Sequence, residues 1–300
     1  MTPRYNGVSS MRPTDKKIKP MQIIADSGST NTQWCLIDGK DSHQVRTRGL
    51  NPFFNGASLL EKEVGKQPLL RDHQHKVSRV YYYGAGCGNE KNAKAMASAL
   101  KTSFPKAEVS VETDLLGAAR GLFIHDKGIA CILGTGSHSG LYNGKNILRC
   151  TPSLGYLLGD EGSGSHLGKL LLKAYLSHEL PQELAKKFRE KYPGSFESQV
   201  YELYNHPFPN RYLAGFTSFI RENQEHPFLN QQLRKAFTTF LNLLKKHYPR
   251  EMLKSIRLTG SVASGFSEMV INTANELGIQ VTRIEASPME GLIHYHSPGK

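Results

Sequence analysis

The chain has 300 residues, 38% of them hydrophobic and 21% charged, a composition that supports a folded core and excludes a disordered protein. Its 38 basic and 26 acidic residues give a net charge of +12, which indicates either a solvated basic surface or a field that attracts anionic substrates. No apolar run approaches the roughly 20 residues that span a bilayer, which excludes an integral membrane protein. The 4 cysteines form no C-x-x-C pair, which argues against zinc ribbons and disulfide scaffolds and predicts reduced thiols in a cytoplasmic protein.

The first 20 residues differ from the rest. They contain early prolines, five basic residues and neither an apolar segment nor a helical period. We expect residues 1–20 to be a flexible leader or a mis-called start, with the first strand beginning at Met21.

The next segment predicts a three-stranded meander. Strands are expected at 21–26, 32–37 and 42–48, with a glycine turn at 27–31 and an Asp38-Gly39 hairpin turn between them. A buried strand at 77–83, a helix at 89–104, a strand at 107–114 and a helix at 115–123 follow. Strands joined by crossover helices indicate parallel pairing in an α/β sheet.

The meander then repeats. Strands are predicted at 128–133, 138–142 and 145–150, with a glycine turn at 134–137 and an Asn143-Gly144 hairpin turn. A helical region follows, and a strand at 255–260, a turn and a helix within 261–278, a strand at 279–285 and a short helix at 289–295 close the chain. The repetition predicts two similar domains.

The two glycine turns are candidate phosphate sites. They contain Gly28, Ser29 and Thr30 in the first copy and Gly134, Thr135, Gly136 and Ser137 in the second. Small residues let an anion approach several backbone N–H groups. A single turn is weak evidence because hairpins need glycine in any case, but two equivalent turns facing each other would clamp the β- and γ-phosphates of a nucleotide.

Asp26 comes directly before the first turn. It is either a turn cap or a ligand that holds Mg²⁺ beside phosphates through the water molecules of the cation. The sequence contains neither G-x-x-x-x-G-K-[ST] nor a G-x-G-x-x-G that opens a βαβ unit, which excludes P-loop and Rossmann proteins.

These motifs resemble a known superfamily. DSGSTNTQWCLID at 26–38 and ILGTGSHSGLYNG at 132–144 resemble the two phosphate motifs of the actin/hexokinase/Hsp70 ATPases, and LTGSVASGF at 258–266 resembles their adenosine motif. With GLNPFF at 49–54, TDLLGAARG at 113–121 and GYLLGDEGSGSHLG at 155–168, the chain is similar to the N-acetylglucosamine kinase-like branch of the BadF/BadG/BcrA/BcrD ATPase family.

The resemblance implies an α/β fold with two RNase-H-like (actin-like ATPase) domains flanking an interdomain cleft. One domain would comprise residues 21–124 plus 288–300, and the other residues 125–287. It also implies an ATP-dependent sugar kinase that uses ATP and Mg²⁺ and makes N-acetylglucosamine 6-phosphate. The expected partner is a small-molecule amino sugar rather than nucleic acid or a membrane, and a homodimer is a family expectation.

The resemblance also assigns residues. Asp114, in the TD-x-x-GA context, would be the base that takes the proton of the sugar hydroxyl, although an aspartate there also suits a helix N-cap. Sugar contacts would come from Asn51, Ser153, Gly155 and Asp160, and adenosine contacts from Gly260, Ser261 and Val262. The alternative, purely structural roles are a turn residue at Asn51 and a partner of the helix dipole at Asp160.

One departure from the family concerns the sugar pocket. Related human-type kinases have a tryptophan where this chain has Ser153-Leu154-Gly155, so the identity of the sugar stays open. Glucosamine and N-acetylmuramic acid are the alternative substrates. The alternative functions are a BadF-type ATPase that activates a dehydratase through a shared [4Fe–4S] cluster, and a non-catalytic nucleotide-dependent sugar sensor.

Overall fold

A computed structural model of the chain describes residues 21–52 and 56–297. The predicted leader at 1–20 lies outside the described residues, as do residues 53–55, which include the end of the GLNPFF motif, and residues 298–300. The described chain forms two five-stranded mixed sheets with helices packed against them.

The first sheet contains the predicted opening meander. Its antiparallel strands are β1 (Gln22–Ser27), β2 (Asn31–Asp38) and β3 (Asp41–Arg48). β4 (Arg79–Gly84) pairs parallel with β1, and β5 (Glu108–Thr113) pairs parallel with β4, which gives the order β3-β2-β1-β4-β5. The helices of this half are α1 (Gly56–Lys66), α2 (Pro68–Arg71), α3 (Glu90–Ser103) and α4 (Asp114–Phe123).

The second sheet repeats this arrangement. Its strands are β6 (Gly128–Leu133), β7 (Ser137–Tyr142), β8 (Ile147–Cys150), β9 (Ile256–Thr259) and β10 (Val281–Glu285). The order β8-β7-β6-β9-β10, with β6, β9 and β10 parallel, is that of the first sheet. The predicted duplication and the predicted α/β class are therefore confirmed.

Most helices of the second half come between β8 and β9 along the chain. They are α5 (Gly155–Leu158), α6 (Gly164–Leu176), α7 (Gln182–Lys191), α8 (Phe196–Asn205), α9 (Pro209–Gly215), α10 (Thr217–Glu222) and α11 (Pro227–His247), followed by a 3₁₀ turn at Arg250–Lys254. The apolar face of α11 is buried against β6 and its neighbours. The core residues of that face are Leu229, Leu233, Ala236, Phe237, Phe240, Leu241 and Leu244.

For 261–278 a turn and one helix are predicted, and the number of helices differs. The structure has two, α12 (Ser261–Gly265) and α13 (Ser267–Glu276), separated at Phe266, whose φ of −128° and ψ of 32° are not helical. The reason is packing, because the Phe266 ring is buried beside Phe237 at a centroid distance of 6.1 Å.

The last helix, α14 (Met289–His296), returns to the first half of the molecule. Met289 and Leu292 are buried with Ile24, Ile37 and Tyr83, so α14 packs against the first sheet. This contact agrees with adding the C-terminus to the first domain, although the predicted domain boundaries stay a prediction. Among residues 21–52 and 56–297, no helix has the length and apolarity needed to cross a membrane.

Candidate active site

Two glycine turns touch between the two halves of the molecule. The first turn, residues 28–30, joins β1 to β2, and the second, residues 134–136, joins β6 to β7. The hydroxyl groups of Thr30 and Thr135 form a hydrogen bond of 2.8 Å between their oxygen atoms. The structure thus places the tips of the two predicted phosphate turns in direct contact.

The amino end of α6 supports the second turn. The N–H groups of Gly164 and Ser165 donate to the carbonyl oxygens of Gly134 and Thr135 at 2.8 and 3.0 Å. These bonds fix the turn through its carbonyl groups, whereas an anion is bound through N–H groups. These two bonds therefore leave the N–H groups of the turn unused, although the Gly134 N–H donates within the turn to the Gly136 carbonyl oxygen at 3.0 Å.

Asp160 lies against the second turn as well. Its Oδ1 accepts a hydrogen bond from the Ser137 N–H at 3.1 Å, and a Cβ at Gly136 would lie only 3.0 Å from the carboxylate oxygens. Burial raises the pKa of Asp160, and the Ser137 hydrogen bond opposes that shift. Asp160 is not in α6, which begins at Gly164 and is capped by Ser163, so the alternative role as a helix-dipole partner is not what fixes its position.

Asp114 and Asp26 come together at the carboxyl ends of the parallel strands. Asp26 pairs with Tyr83 of β4, and Asp114 directly follows Thr113, the last residue of β5. Burial and the charge of Asp114 raise the pKa of Asp26 to about 7, and burial raises the pKa of Asp114. A carboxyl group whose pKa is raised by burial and by a second carboxylate can hold a proton or a cation near neutral pH.

The N-cap of α4 is Thr113 and not Asp114, for which a capping role was the alternative. The Thr113 hydroxyl oxygen accepts the Leu116 N–H at 3.2 Å, which makes Thr113 the N-cap of α4. The Oδ1 of Asp114 accepts the adjacent Leu115 N–H at 2.9 Å. Capping therefore does not explain why a buried carboxylate stands at this position.

His138 is a site residue that the sequence reasoning missed. Its Nε2 donates to the Thr151 carbonyl oxygen at 3.2 Å, and its charge lowers the pKa of both Asp114 and Asp160. His138 therefore lies close to both carboxylates and connects the second turn to the segment that leads to α5. Its position directly after Gly-Thr-Gly-Ser was the signal that could have identified it.

The predicted sugar residues divide into two groups. Asn51 is buried, and its segment is tied to β1 because the Leu50 N–H donates to Ser27 Oγ at 3.3 Å and Gly49 packs under the carbonyl of Ser29. Ser153 and Gly155 are exposed at the start of α5. The structure brings Asn51 to the first turn, whereas the described contacts do not link Ser153 or Gly155 to Asp114.

The predicted adenosine turn adjoins the second phosphate turn. Gly260 has a φ of +121°, and a Cβ there would lie 2.5 Å from the Leu133 carbonyl oxygen, so only glycine fits. Ser261 and Val262 follow and line a cavity of about 140 Å³. Its other lining residues are Thr217, Ser218, Arg221, Gly265 and Phe266.

Comparisons with solved structures match this architecture. A candidate N-acetylglucosamine kinase from Porphyromonas gingivalis is 35% identical with a TM-score of 0.85, and the match covers 92% of this chain and 98% of that one. A candidate N-acetylglucosamine kinase from Chromobacterium violaceum is 18% identical with a TM-score of 0.69 over 92% and 98% of the two chains. A ROK family glucokinase from Streptomyces griseus, solved with glucose and AMPPNP, is 17% identical with a TM-score of 0.60 over 92% and 97%.

The chain belongs to the sugar kinases of the actin-like ATPase fold. These enzymes are ATP-dependent phosphotransferases with a sugar hydroxyl as the acceptor. No protein-family model and no curated protein sequence matches the chain, so its place in the BadF/BadG/BcrA/BcrD family stays a prediction. The individual roles of the site residues in this kinase are likewise predictions.

Magnesium fits the carboxylates of this kinase. Within the described residues, no group of three His, Cys, Asp or Glu side chains is arranged to enclose a metal. Mg²⁺ is commonly held by one or two carboxylates, the phosphates of the substrate and retained waters. Asp26, a desolvated carboxylate beside a second one and next to the first phosphate turn, has the chemistry of such a ligand.

Replacing Asp26 by Asn is expected to stabilise the metal-free kinase more at pH 8 than at pH 5. The pKa of Asp26 is about 7 in the folded protein, compared with a usual value of 3.8, so the folded state binds the extra proton between these values. The stability that this carboxyl contributes below pH 3.8 is therefore lost as the pH rises through 7, and an amide avoids the loss.

Thermal unfolding in EDTA tests this expectation. The Tm of Asp26→Asn should exceed that of the wild type, with the larger difference at pH 8. Asp72→Asn, at an exposed aspartate paired with Arg71, is the matched control and should show no pH-dependent difference. Equal Tm differences at both pH values for Asp26→Asn would contradict the raised pKa.

Proposed function

We propose that this kinase transfers the γ-phosphoryl group of Mg·ATP to the 6-hydroxyl of N-acetylglucosamine. The observation that carries the proposal is the placement of Asp114 beside Asp26 and His138, next to two touching phosphate turns. The Porphyromonas relative, a candidate N-acetylglucosamine kinase at 35% identity, supports the choice of sugar.

Asp114 would act as the general base. The attacking hydroxyl loses its proton to the Asp114 carboxylate while its oxygen forms the bond to phosphorus and ADP departs. Burial raises the pKa of Asp114, which makes the carboxylate a stronger proton acceptor than an exposed one. Mg²⁺ near Asp26 would neutralise phosphate charge, and the N–H groups of the two turns would orient the phosphates.

The sugar would be held by groups from both halves of the chain. Asn51 and Asp160 would bind sugar hydroxyls, and the Nδ1 of His138 would face the same space because its Nε2 is engaged with Thr151. Ser153 and Gly155 would contact the sugar from the α5 side. Gly260, Ser261 and Val262 would support the adenosine.

The proposal includes movement between two domains. We assign residues 21–124 plus 288–300 to one domain and 125–287 to the other. The Thr30–Thr135 hydrogen bond must break for phosphates to enter between the turns, so nucleotide binding would separate the tips before the cleft closes on the sugar.

The dehydratase-activator alternative receives no support from the cysteines. A cluster shared between subunits needs accessible thiolates. Cys131 is fully buried in β6, and burial raises the pKa of its thiol, while Cys150 is exposed at the end of β8. The experiment described next also tests the alternative of a non-catalytic sugar sensor.

The test is ADP release with Mg·ATP and five separate sugars: N-acetylglucosamine, glucosamine, N-acetylmuramic acid, N-acetylmannosamine and glucose. We expect the highest kcat/KM with N-acetylglucosamine, and NMR of the product should show the phosphate on O6. Preference for glucosamine or N-acetylmuramic acid would support the kinase activity but overturn the choice of N-acetylglucosamine as the substrate. Sugar binding without any turnover would overturn the proposal and support a sensor.

A further inference from the structure

Arg211 of α9 is a cation without a described counterion. Its Nε is buried and has no hydrogen-bond partner, and its guanidinium lies over the Phe208 ring, 4.0 Å from the centroid. It also lines a cavity of about 320 Å³. A guanidinium carries five donors in a planar fork, so burial without an acceptor is costly unless a ligand supplies one.

Arg48, the last residue of β3, is a second cation without a described counterion, and its side chain is exposed. Its guanidinium makes no ion pair or hydrogen bond within the described part of the chain. The acid within its electrostatic reach is Glu63, whose carboxylate is already paired with Lys66 at 3.0 Å and accepts the Arg48 backbone N–H. The side chain of Arg48 therefore keeps its full capacity to bind an anion.

The contacts place Arg48 beside the first phosphate turn and the helix that carries Arg211 beside the support of the second. Arg48 pairs with Asn31, and the next residue donates its N–H to the Thr30 carbonyl at 2.9 Å, so Arg48 flanks the first turn. On the other side, a Cβ at Gly164 would lie 3.1 Å from Ala214 of α9. The helix that carries Arg211 thus packs on the support of the second turn.

The positive charges of Arg48 and Arg211 repel each other. The pKa of Arg211 is lowered by burial and then by the charge of Arg48. Two guanidinium groups that repel each other, one of them partly desolvated, form a favourable arrangement only when an anion lies between them. An oxyanion with two or more acceptor oxygens can accept hydrogen bonds from both guanidinium groups at once.

We propose that Arg48 and Arg211 form an oxyanion clamp that binds a phosphate of the nucleotide across the junction of the two turns. This inference rests on the proposed function for the identity of the anion, although not for its existence. A carboxylate on the sugar is the second source of the same chemistry, and it would reach the clamp from the side of Asn51.

The experiment is equilibrium binding by calorimetry with three probes: AMPPNP, inorganic pyrophosphate and N-acetylmuramic acid. Arg211→Gln and Arg48→Gln should each weaken AMPPNP and pyrophosphate by about 10- to 100-fold, as expected for the loss of a charge-assisted contact. Arg211→Lys should recover part of that loss. The matched control is Arg234→Gln, which removes one exposed positive charge from an ion pair with Glu276 on α13.

Thermal stability separates binding from a structural role. Because Arg48→Gln removes a repulsion, its Tm without ligand should stay equal or rise while anion binding falls. In Arg211→Gln the loss of the contact with the Phe208 ring opposes that gain. Arg48→Gln, at an exposed strand end, keeps the test valid if Arg211→Gln folds poorly. If the variants weaken the binding of N-acetylmuramic acid but not of AMPPNP or pyrophosphate, the clamp binds a carboxylate of the sugar and not a phosphate of the nucleotide.

Unchanged affinity for all three probes, or an equal loss in Arg234→Gln, would overturn the clamp. The outcome does not depend on turnover. If no sugar is phosphorylated but pyrophosphate binding still falls in Arg211→Gln, the proposed function fails and the clamp stands.

Discussion

Replacing Asp114 by Asn is expected to lower kcat about 1,000-fold while the KM for the sugar changes by about threefold at most. An amide keeps the shape of the side chain and can still hydrogen-bond a sugar hydroxyl, but it cannot take the proton. Folding should not suffer, because burial already disfavours the charged form of Asp114. Steady-state ADP release with the preferred sugar, together with a Tm, measures both quantities.

A second readout of the same variant tests where Asp114 lies. The charge of Asp114 raises the pKa of Asp26, so Asp114→Asn should lower the pKa of Asp26 from about 7 in a ¹³C-carboxyl NMR titration without metal. Asp72→Asn should change neither kcat nor that pKa. Retention of more than about a tenth of wild-type kcat in Asp114→Asn would rule out the general-base role.

Local sequence patterns predicted the meanders because their signals are short-range. Alternating apolar residues and the Asp38-Gly39 and Asn143-Gly144 turns determine strand bounds within a few positions, and the structure has those strands. The contact between Thr30 and Thr135 depends instead on how the two halves dock, which no local period encodes. The same limit explains the break at Phe266, where burial of one ring overrides a helical pattern.

The candidate site shows the same division. Glycine turns and strand-end aspartates have recognisable chemistry, so the turns, Asp26, Asp114 and Asp160 could be selected from sequence. His138 could have been selected in the same way, because it directly follows Gly-Thr-Gly-Ser, but its contact with Thr151 depends on the fold. Arg48 and Arg211 stand in unrelated segments, and only the fold brings their charges within electrostatic reach of each other.

Gly291→Ala is expected to destabilise the protein by about 3 kcal/mol, at the upper end for overpacking. A Cβ at Gly291 would lie 1.7 Å from the Gly121 carbonyl oxygen, and in return a Cβ at Gly121 would lie 2.4 Å from the Pro288 carbonyl oxygen. Backbone atoms block both positions, so the methyl group can be accommodated only if α14 moves away from α4.

That movement would also affect catalysis, because α4 begins at Asp114 and is packed against α14 near its other end. Denaturant unfolding should show the lower stability of Gly291→Ala, and kcat should fall well below that of the wild type even where the variant is folded. Gly65→Ala is the matched control: Gly65 lies exposed in α1 with no atom within 4 Å of a new Cβ, so helix propensity should stabilise it by about 0.5–1 kcal/mol. Equal stability of the two variants would show that α14 does not depend on the glycine contact, and the position of Asp114 would then be fixed by the strands that pack against α4.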